Sequence, residues 1–189
     1  MPATPKDPIA DPQTDSRRDA ALEFLLGRIN YERTPTLPYG QRQLKLDRMR
    51  QLLTRLGNPD AGMPIVHVAG TKGKGSTSAL VGSILCAAGY EVGLFSSPHL
   101  ENIEERFSVN GRPCSASELV SIVDQLRPVV LAMDEEATRS ADSSLSPTYF
   151  ELTTAIALMH FAQRDDTHIR VTPSDIMNQF SQILFQACG

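Results

Sequence analysis

The sequence predicts an α/β domain, more narrowly a partial P-loop doubly wound fold whose mostly parallel sheet is flanked by helices. A short run rich in β-branched residues, Ile65 to Ala69, is typical of a strand buried on both faces, and a glycine-rich loop follows it directly. A helical pattern from Ser76 to Ala88 then leads into a second apolar strand, Tyr90 to Phe95. Strand, helix and strand in this order form a βαβ unit, and its two strands therefore run parallel.

Size and composition limit the class of protein. The 189 residues suffice for one domain, alone or with an appendage, and 41% hydrophobic residues can form a core. A net charge of -4 provides no basic field, and the absence of Trp leaves no stacking platform, so we expect no nucleic-acid partner. Three widely spaced cysteines indicate neither a disulfide framework nor a zinc site. No apolar leader is visible and no apolar run approaches the ~18 residues of a membrane span, so we expect a cytoplasmic protein without membrane contact.

Two helices are predicted before the first strand. Residues 1–16, with four prolines among polar residues, are predicted to be a disordered tail. The α/β domain itself is predicted to cover residues 17–165. Its first helix runs from Arg17 to Ile29, and a second amphipathic helix from Leu44 to Leu56 is stopped by Gly57.

The elements after the second strand are a short strand and two capped helices. Glu105 to Val109 is predicted to be a strand that enters a tight turn at Asn110-Gly111. Capping boxes predict helices that begin after Ser115, with Glu118, and after Thr148, with Glu151. In the helix after the glycine loop, the residues predicted to face inward are Leu80, Val81, Ile84 and Leu85.

The last residues have a different character. A doubly wound domain should continue with an apolar strand after the helix that ends near Gln163, but only the weak run Ile169-Arg170-Val171 follows. A final amphipathic helix is predicted over residues 173–187. Residues 166–189 are therefore interpreted as a tail that does not match the domain before it.

The glycine-rich loop predicts a phosphate-binding site. Between a buried strand and a helix N-terminus, successive backbone N–H groups can surround phosphate oxygens, and the helix dipole favours their charge. Lys74 would contact the β and γ phosphates of ATP, and the hydroxyl of Ser76 or Thr77 could reach a nucleotide-bound Mg²⁺. The cofactor-binding residues predicted on this basis are Gly70, Thr71, Lys72, Gly73, Lys74, Gly75, Ser76 and Thr77.

The loop departs from the strict Walker pattern at two positions. Val68 stands where the pattern requires its first glycine, and Gly75 stands where Ser or Thr should follow the lysine. A flexible Gly/Lys turn is the alternative, but the position directly after a buried strand favours a phosphate loop.

Several ordered motifs resemble those of folylpolyglutamate synthases and dihydrofolate synthases, members of the Mur ligase superfamily. The run His67 to Ser76 is similar to the P-loop of these enzymes, with Lys72 where they usually carry Asn. The resemblance covers about Ala20 to Asp165. The other matching motifs are Asp47-Arg48-Met49 through Gly57-Asn58-Pro59, Gly93 to Leu100, Glu105-Arg106-Phe107, Asn110-Gly111 and Thr148-Tyr149-Phe150-Glu151.

The resemblance implies an ATP-dependent ligase that joins L-glutamate to a folate, either dihydropteroate or tetrahydrofolate, through an acyl phosphate. It assigns Lys74 to the phosphates as the catalytic residue and Ser97 to magnesium coordination beside Ser76. It also implies that the loop from Ser96 to Arg106 lies near the folate. Which of the two substrates is used stays open.

Simpler interpretations of the neighbouring residues also stay open. Ser97 before Pro98 could only shape a turn. His99 is given no role. Glu105 and Arg106 could be a solvated strand pair, and Glu151 is explained by its capping box.

The resemblance ends near Arg164. Family members continue with an apolar strand and a Glu-Val-Gly-Leu-Gly-Gly motif, which residues 166–189 do not contain. We therefore expect a truncated or frameshifted chain with negligible ligase activity of its own. A non-catalytic nucleotide-binding remnant and a fragment of a Mur-type ligase for peptidoglycan precursors are the alternative functions.

Overall fold

The computed structural model describes residues 12–30, 46–70, 72–164 and 167–174. Over these residues it has the α/β architecture that the sequence predicts. Its helices are α1 (Pro12–Leu26), α2 (Leu46–Arg55), α3 (Lys74–Ala87), α4 (Ala116–Arg139) and α5 (Tyr149–Ala162). Its strands are β1 (Ile65–Ala69), β2 (Glu91–Phe95), β3 (Phe107–Val109), β4 (Arg112–Pro113) and β5 (Thr167–Ser174).

The described strands form one mixed sheet in the order β1-β5-β2-β3-β4. β1, β5 and β2 run parallel, while β3 and β4 add an antiparallel hairpin at one edge. The hairpin turns at Asn110 and Gly111, whose φ angles of 51° and 75° are left-handed, as a two-residue hairpin turn of this type requires. The predicted tight turn and the predicted β1-α3-β2 unit are both confirmed.

Strand β5 corrects the interpretation of the tail. It lies between β1 and β2, with Arg170 opposite Ile65 and Val171 opposite Leu94, so residues 167–174 belong to the sheet. The predicted helix over residues 173–187 is wrong at Pro173 and Ser174, and its remainder lies outside the described residues. The unit β1-α3-β2 leaves a gap one strand wide, and a strand there satisfies the facing backbone N–H and C=O groups on both sides. Because these hydrogen bonds are made by backbone groups alone, the strand that fills the gap does not need a continuous apolar run.

Helix α3 corrects a second prediction, because Leu80 and Ile84 are 65% and 67% exposed rather than inward. Its buried residues are Lys74, Ser78 and Gly82, spaced four apart on one face of the helix. A Cβ added at Gly82 would lie 3.9 Å from Val92, so small residues let this face of the helix lie close to the sheet.

Helix α1 begins earlier than predicted. It starts at Pro12, so residues 12–16 of the predicted disordered tail are helical, while residues 1–11 lie outside the described ranges. Proline is tolerated in the first turn of a helix, and Asp15 there interacts favourably with the helix dipole. Arg17 also forms a 2.6 Å ion pair with Asp124 of α4. These contacts offset the unfavourable composition that predicted disorder.

The core lies between the sheet and helices α1, α2, α4 and α5. Helix α5 is its centre, since every residue from Tyr149 to Phe161 is buried, as expected of a helix that is apolar on most of its circumference. α5 meets β2 at Gly93, where a Cβ would lie only 2.7 Å from the ring of Phe161. No helix in the described part of the chain has the length and apolarity needed to cross a membrane.

Candidate functional site

The predicted phosphate loop joins the carboxyl end of β1 to the first turn of α3. Gly73 precedes the helix with φ 77°, a left-handed conformation that glycine adopts without strain. Gly70, at the other end of the loop, has φ 154°. The loop therefore bends sharply enough to direct the first backbone N–H groups of α3 toward the carboxyl edge of the sheet, which is where an anion would bind.

Lys74 is the first residue of α3, and only 8% of its surface is exposed. Its ammonium group donates a 2.7 Å hydrogen bond to the carbonyl of Gly70, across the loop. The positive charge is thus held over the same backbone that would surround a phosphate group. A bound phosphate would therefore have to replace the Gly70 carbonyl as the hydrogen-bond acceptor of this ammonium group.

The remaining predicted loop residues are accessible to solvent wherever the structure describes them. Lys72, Gly75, Ser76 and Thr77 are exposed, whereas Thr71 lies outside the described residues. The backbone N–H of Thr77 donates to the Gly73 carbonyl at 2.9 Å, so this residue already belongs to the regular helix. One turn beyond Lys74, the hydroxyl of Ser78 is fully buried and has no hydrogen-bond partner among the residues that the structure describes. Ser78 is not among the site residues that the sequence predicts.

Ser97 is half-buried just after the carboxyl end of β2. β5 lies between β1 and β2, so Ser97 and the loop after β1 start from strands roughly 10 Å apart. Among the described residues, no group of three His, Cys, Asp or Glu side chains could hold a metal ion. Mg²⁺ at nucleotide sites keeps water and phosphate ligands and needs only one or two protein oxygens. The hydroxyls of Ser76 and Ser97 therefore fit a nucleotide-borne ion better than a protein cage.

The loop after β2 is organised by Glu105, which the sequence suggested could be solvated on a strand. Glu105 and Arg106 instead lie in a 3₁₀ turn, Ile103–Arg106. The carboxylate of Glu105 accepts the backbone N–H groups of Leu100, Glu101 and Asn102 at 2.8, 3.0 and 2.8 Å. These bonds hold the pKa of Glu105 below its usual value, and the bond from the Asn102 backbone has the largest effect. The predicted strand is therefore shortened at its start, and the loop has a fixed shape.

Arg106 is the second residue of this pair and is almost entirely buried, with 2% of its surface exposed. Its Nε–H donates a 2.8 Å hydrogen bond to Nδ1 of His99. Its guanidinium carbon lies 5.5 Å from the centre of the Tyr149 ring, within range of a cation–π interaction. A solvated strand pair is therefore the wrong description of Glu105 and Arg106.

His99, Arg106 and Tyr149 line a cavity of about 390 Å³ between α1 and the loop after β2. Arg18 of α1 lines it from the other side and is fixed there by hydrogen bonds to Glu104 at 2.9 Å and to Asn102 at 3.2 Å. Of these four residues, Arg18 and His99 are half-buried, whereas Arg106 and Tyr149 are only 2% and 1% exposed. The cavity can therefore offer a guanidinium group and an imidazole to a ligand with oxygen acceptors.

Sequence reasoning missed the arrangement that shapes this cavity, although one signal was available. Asn102 and Glu105 have the spacing of a capping box, and the backbone N–H of Asn102 donates to the Glu105 carboxylate at 2.8 Å as in such a box. The contacts of His99 with Arg106 and of Arg106 with Tyr149 carry no comparable signal. They join residues up to 43 positions apart that follow no local pattern.

An α/β domain in which a glycine-rich loop joins a parallel strand to a helix at the carboxyl edge of the sheet has the architecture of the P-loop nucleotide-binding class. Comparison with known proteins narrows this class. Over 118 residues the chain is 46% identical to a dihydrofolate synthase/folylpolyglutamate synthase of Bacillus subtilis, covering 62% of this chain and 26% of that protein. It is 39% identical over 150 residues to a probable bifunctional folylpolyglutamate synthase/dihydropteroate synthase of Halobacterium salinarum, covering 79% of this chain and 16% of that protein.

Solved structures give the same result. A Mycobacterium tuberculosis folylpolyglutamate synthase complexed with ADP and AMPPCP matches with a TM-score of 0.71 and 26% identity, over 86% of this chain and 32% of that chain. A folylpolyglutamate synthase in complex with AMPPCP and folate matches with a TM-score of 0.68 and 28% identity, over 84% and 35%. No family model matches the chain. The resemblance to folylpolyglutamate and dihydrofolate synthases, and with it the Mur-ligase-like fold, is confirmed. The chain spans about a quarter of the Bacillus subtilis relative.

Proposed function

We propose that this chain forms the ATP-binding part of a ligase that joins L-glutamate to a folate. The observation that carries the proposal is the loop after β1, in which Lys74 lies over the loop backbone at the N-terminus of α3. The similarity to folylpolyglutamate synthases that were solved with ADP and AMPPCP supports a nucleotide as its ligand.

The proposed reaction has two steps. The γ-phosphoryl group of ATP is transferred to a folate carboxylate, which gives an acyl phosphate and ADP. The amino group of glutamate then attacks the acyl carbon, an amide bond forms and phosphate leaves. Protein groups contribute mainly by positioning and by neutralising charge in phosphoryl transfer. In this chain the backbone N–H groups of the loop and the ammonium group of Lys74 would serve that purpose.

Magnesium is proposed to enter with the nucleotide and to neutralise charge on the transferring phosphoryl group. The hydroxyls of Ser76 and Ser97 would be its protein ligands, because both follow the carboxyl ends of parallel strands. Lys74 would supply positive charge from the chain itself at this loop.

The cavity between α1 and the loop after β2 is proposed to receive the folate. It lies beside Ser97, at the same edge of the sheet as the phosphate loop, so a carboxylate there could approach the γ phosphate. A similar folylpolyglutamate synthase was solved in complex with AMPPCP and folate together, which supports a folate site in addition to the nucleotide site.

An ADP-release assay tests the proposal. The full chain is incubated with ATP and Mg²⁺, with tetrahydrofolate or dihydropteroate and glutamate added singly and together. ADP that forms only when a folate substrate and glutamate are both present supports the ligase, and the substrate that works distinguishes addition of the first glutamate from later additions. Nucleotide binding without ADP release is the result expected of an ATP-binding part with negligible ligase activity of its own, and a failure to bind nucleotide would contradict the proposal.

A further inference from the structure

The hydrogen bond between Arg106 and His99 determines the protonation state of the imidazole. Arg106 Nε always carries its proton and can only donate, so His99 Nδ1 at 2.8 Å must accept. An imidazolium ion has no acceptor and cannot make this bond. His99 is therefore neutral in this arrangement, with its proton on Nε2.

The surrounding contacts fix the backbone beside His99 and the side chain of Arg106. The carboxylate of Glu105 fixes the backbone at Leu100, directly after His99, with a 2.8 Å bond. The guanidinium group of Arg106 is itself buried against the ring of Tyr149. A backbone N–H of Ser96 donates to the Arg106 carbonyl at 3.0 Å and closes the loop behind the pair. The direction of the imidazole and its tautomer are thus both determined.

His99 lines the cavity of about 390 Å³, as do Arg106 and Arg18. We propose that His99 is a ligand-binding residue that presents its Nε2–H to a carbonyl or carboxylate oxygen of the folate-class ligand, and that Arg106 is the positioning residue that fixes this tautomer. This inference rests on the proposed function, since it assigns a residue within the proposed folate cavity. A neutral donor makes a directional hydrogen bond whose strength does not depend on balancing a second charge.

Two substitutions of His99 separate binding from positioning. Asn in place of His99 keeps an oxygen that can accept from Arg106 but has no donor at the position of Nε2, whereas the longer Gln can place its amide N–H there. Leu100→Ala is the matched control, because the neighbouring Leu100 is 94% exposed and does not line the cavity.

Folate is titrated calorimetrically into the full-length chain with saturating AMPPCP and Mg²⁺. We expect His99→Asn to weaken folate binding by about tenfold, the upper end for one neutral hydrogen bond, and His99→Gln to stay within about threefold of wild type. Leu100→Ala should bind as wild type does. Equal affinities of His99→Asn and wild type would overturn this inference and leave the proposed function intact. Absence of folate binding by the wild type would instead remove the proposed folate site, and this inference with it.

Nitrogen NMR of the imidazole tests the positioning step without any ligand. The wild type should show the Nε2–H tautomer of His99 at neutral pH, and Arg106→Lys should convert it to a mixture, because lysine keeps the charge but has no N–H at the position of Nε. Thermal unfolding of Arg106→Lys shows whether the variant still folds. An Nδ1–H tautomer or an imidazolium ion in the wild type would overturn the inference.

Discussion

Arg48 and Glu151 form an ion pair inside the core, 103 positions apart in the chain. Arg48 Nε lies 3.0 and 2.8 Å from the two carboxylate oxygens, and both side chains are at most 2% exposed. A second nitrogen of Arg48 donates to the carbonyl of Ser144 at 2.6 Å. Glu151 also accepts the backbone N–H of Thr148 at 2.8 Å, so one carboxylate caps α5 and fastens it to α2.

Removing one partner of this pair should be costly. Arg48→Gln leaves the Glu151 carboxylate buried without its cation, and we expect the free energy of unfolding to fall by about 3–5 kcal/mol. Arg50→Gln is the control, because Arg50 pairs with Asp47 at the surface at 3.1 Å, and its loss should cost less than about 1 kcal/mol. Urea unfolding followed by circular dichroism measures both. Similar losses for the two variants would contradict the role assigned to the buried pair.

Gly93 should tolerate no side chain. A Cβ there would lie 2.7 to 3.0 Å from three atoms of the Phe161 ring, and we expect Gly93→Ala to destabilise the protein by about 1–3 kcal/mol. Gly82→Ala is the control, because its nearest neighbour would be 3.9 Å away and alanine favours helices by up to about 1 kcal/mol.

A double-mutant cycle separates this clash from other effects at Gly93. In a Phe161→Leu background the Gly93→Ala substitution should cost less than it does in the wild type, because the ring that blocks the methyl group is absent. An unchanged cost would mean that the ring is not the obstacle.

His160 should make stability depend on pH just below neutrality. It is 1% exposed, and burial lowers its pKa, an effect that Arg164 adds to and Glu118 opposes. The unfolded chain binds this proton at the ordinary pKa of about 6.5 and the folded chain only at lower pH. Below that ordinary value the unfolded state therefore holds more protons, and stability falls as the pH decreases.

The expected slope is at most about 1.4 kcal/mol per pH unit for one proton, and stability should be flat with respect to this group above pH ~7. Burial also lowers the pKa of His67, which contributes with the same sign. Urea unfolding at pH 7.5 and 5.5 should show a smaller difference for His160→Gln than for wild type. Identical differences would show that His160 does not carry the effect.

Strand β5 should be essential to the sheet. A chain ending at Arg164 lacks the strand that pairs with β1 on one side and β2 on the other, and the facing backbone groups of both are left unpaired. We expect this variant to lose cooperative unfolding, whereas a chain ending at Ser174 keeps it. Two equally cooperative unfolding transitions would contradict the assignment of residues 167–174 to the domain.

The sequence correctly predicted the elements whose structure depends on residues close together in the chain. The β1-α3-β2 unit, the turn at Asn110 and Gly111, and the capping boxes at Ser115 and Thr148 are all present where the sequence places them. Each depends on residues within a few positions of one another.

The predictions that were wrong or incomplete concern features that depend on residues far apart in the chain. β5 is recruited by the gap between β1 and β2, and the weak run Ile169-Arg170-Val171 was too short a local signal to predict it. Leu80 and Ile84 have helical spacing, but the sheet selects the opposite, small-residue face of α3. The capping box explained Glu151 correctly and left its distant partner Arg48 unseen. The phosphate loop was recognisable from its glycines, whereas the cavity beside it is built by side chains from α1, α5 and the loop after β2.

Calorimetric titration of AMPPCP with Mg²⁺ into wild type, Lys74→Ala and Arg139→Ala tests the central claim most directly. Arg139 is an exposed cation at the end of α4, so its loss changes the net charge equally without touching the loop. We expect saturable binding by the wild type, a loss of at least about tenfold for Lys74→Ala, as for a charge-assisted bond to phosphate, and no change for Arg139→Ala. Absence of binding by the wild type, or equal binding by Lys74→Ala, would contradict a nucleotide site at this loop.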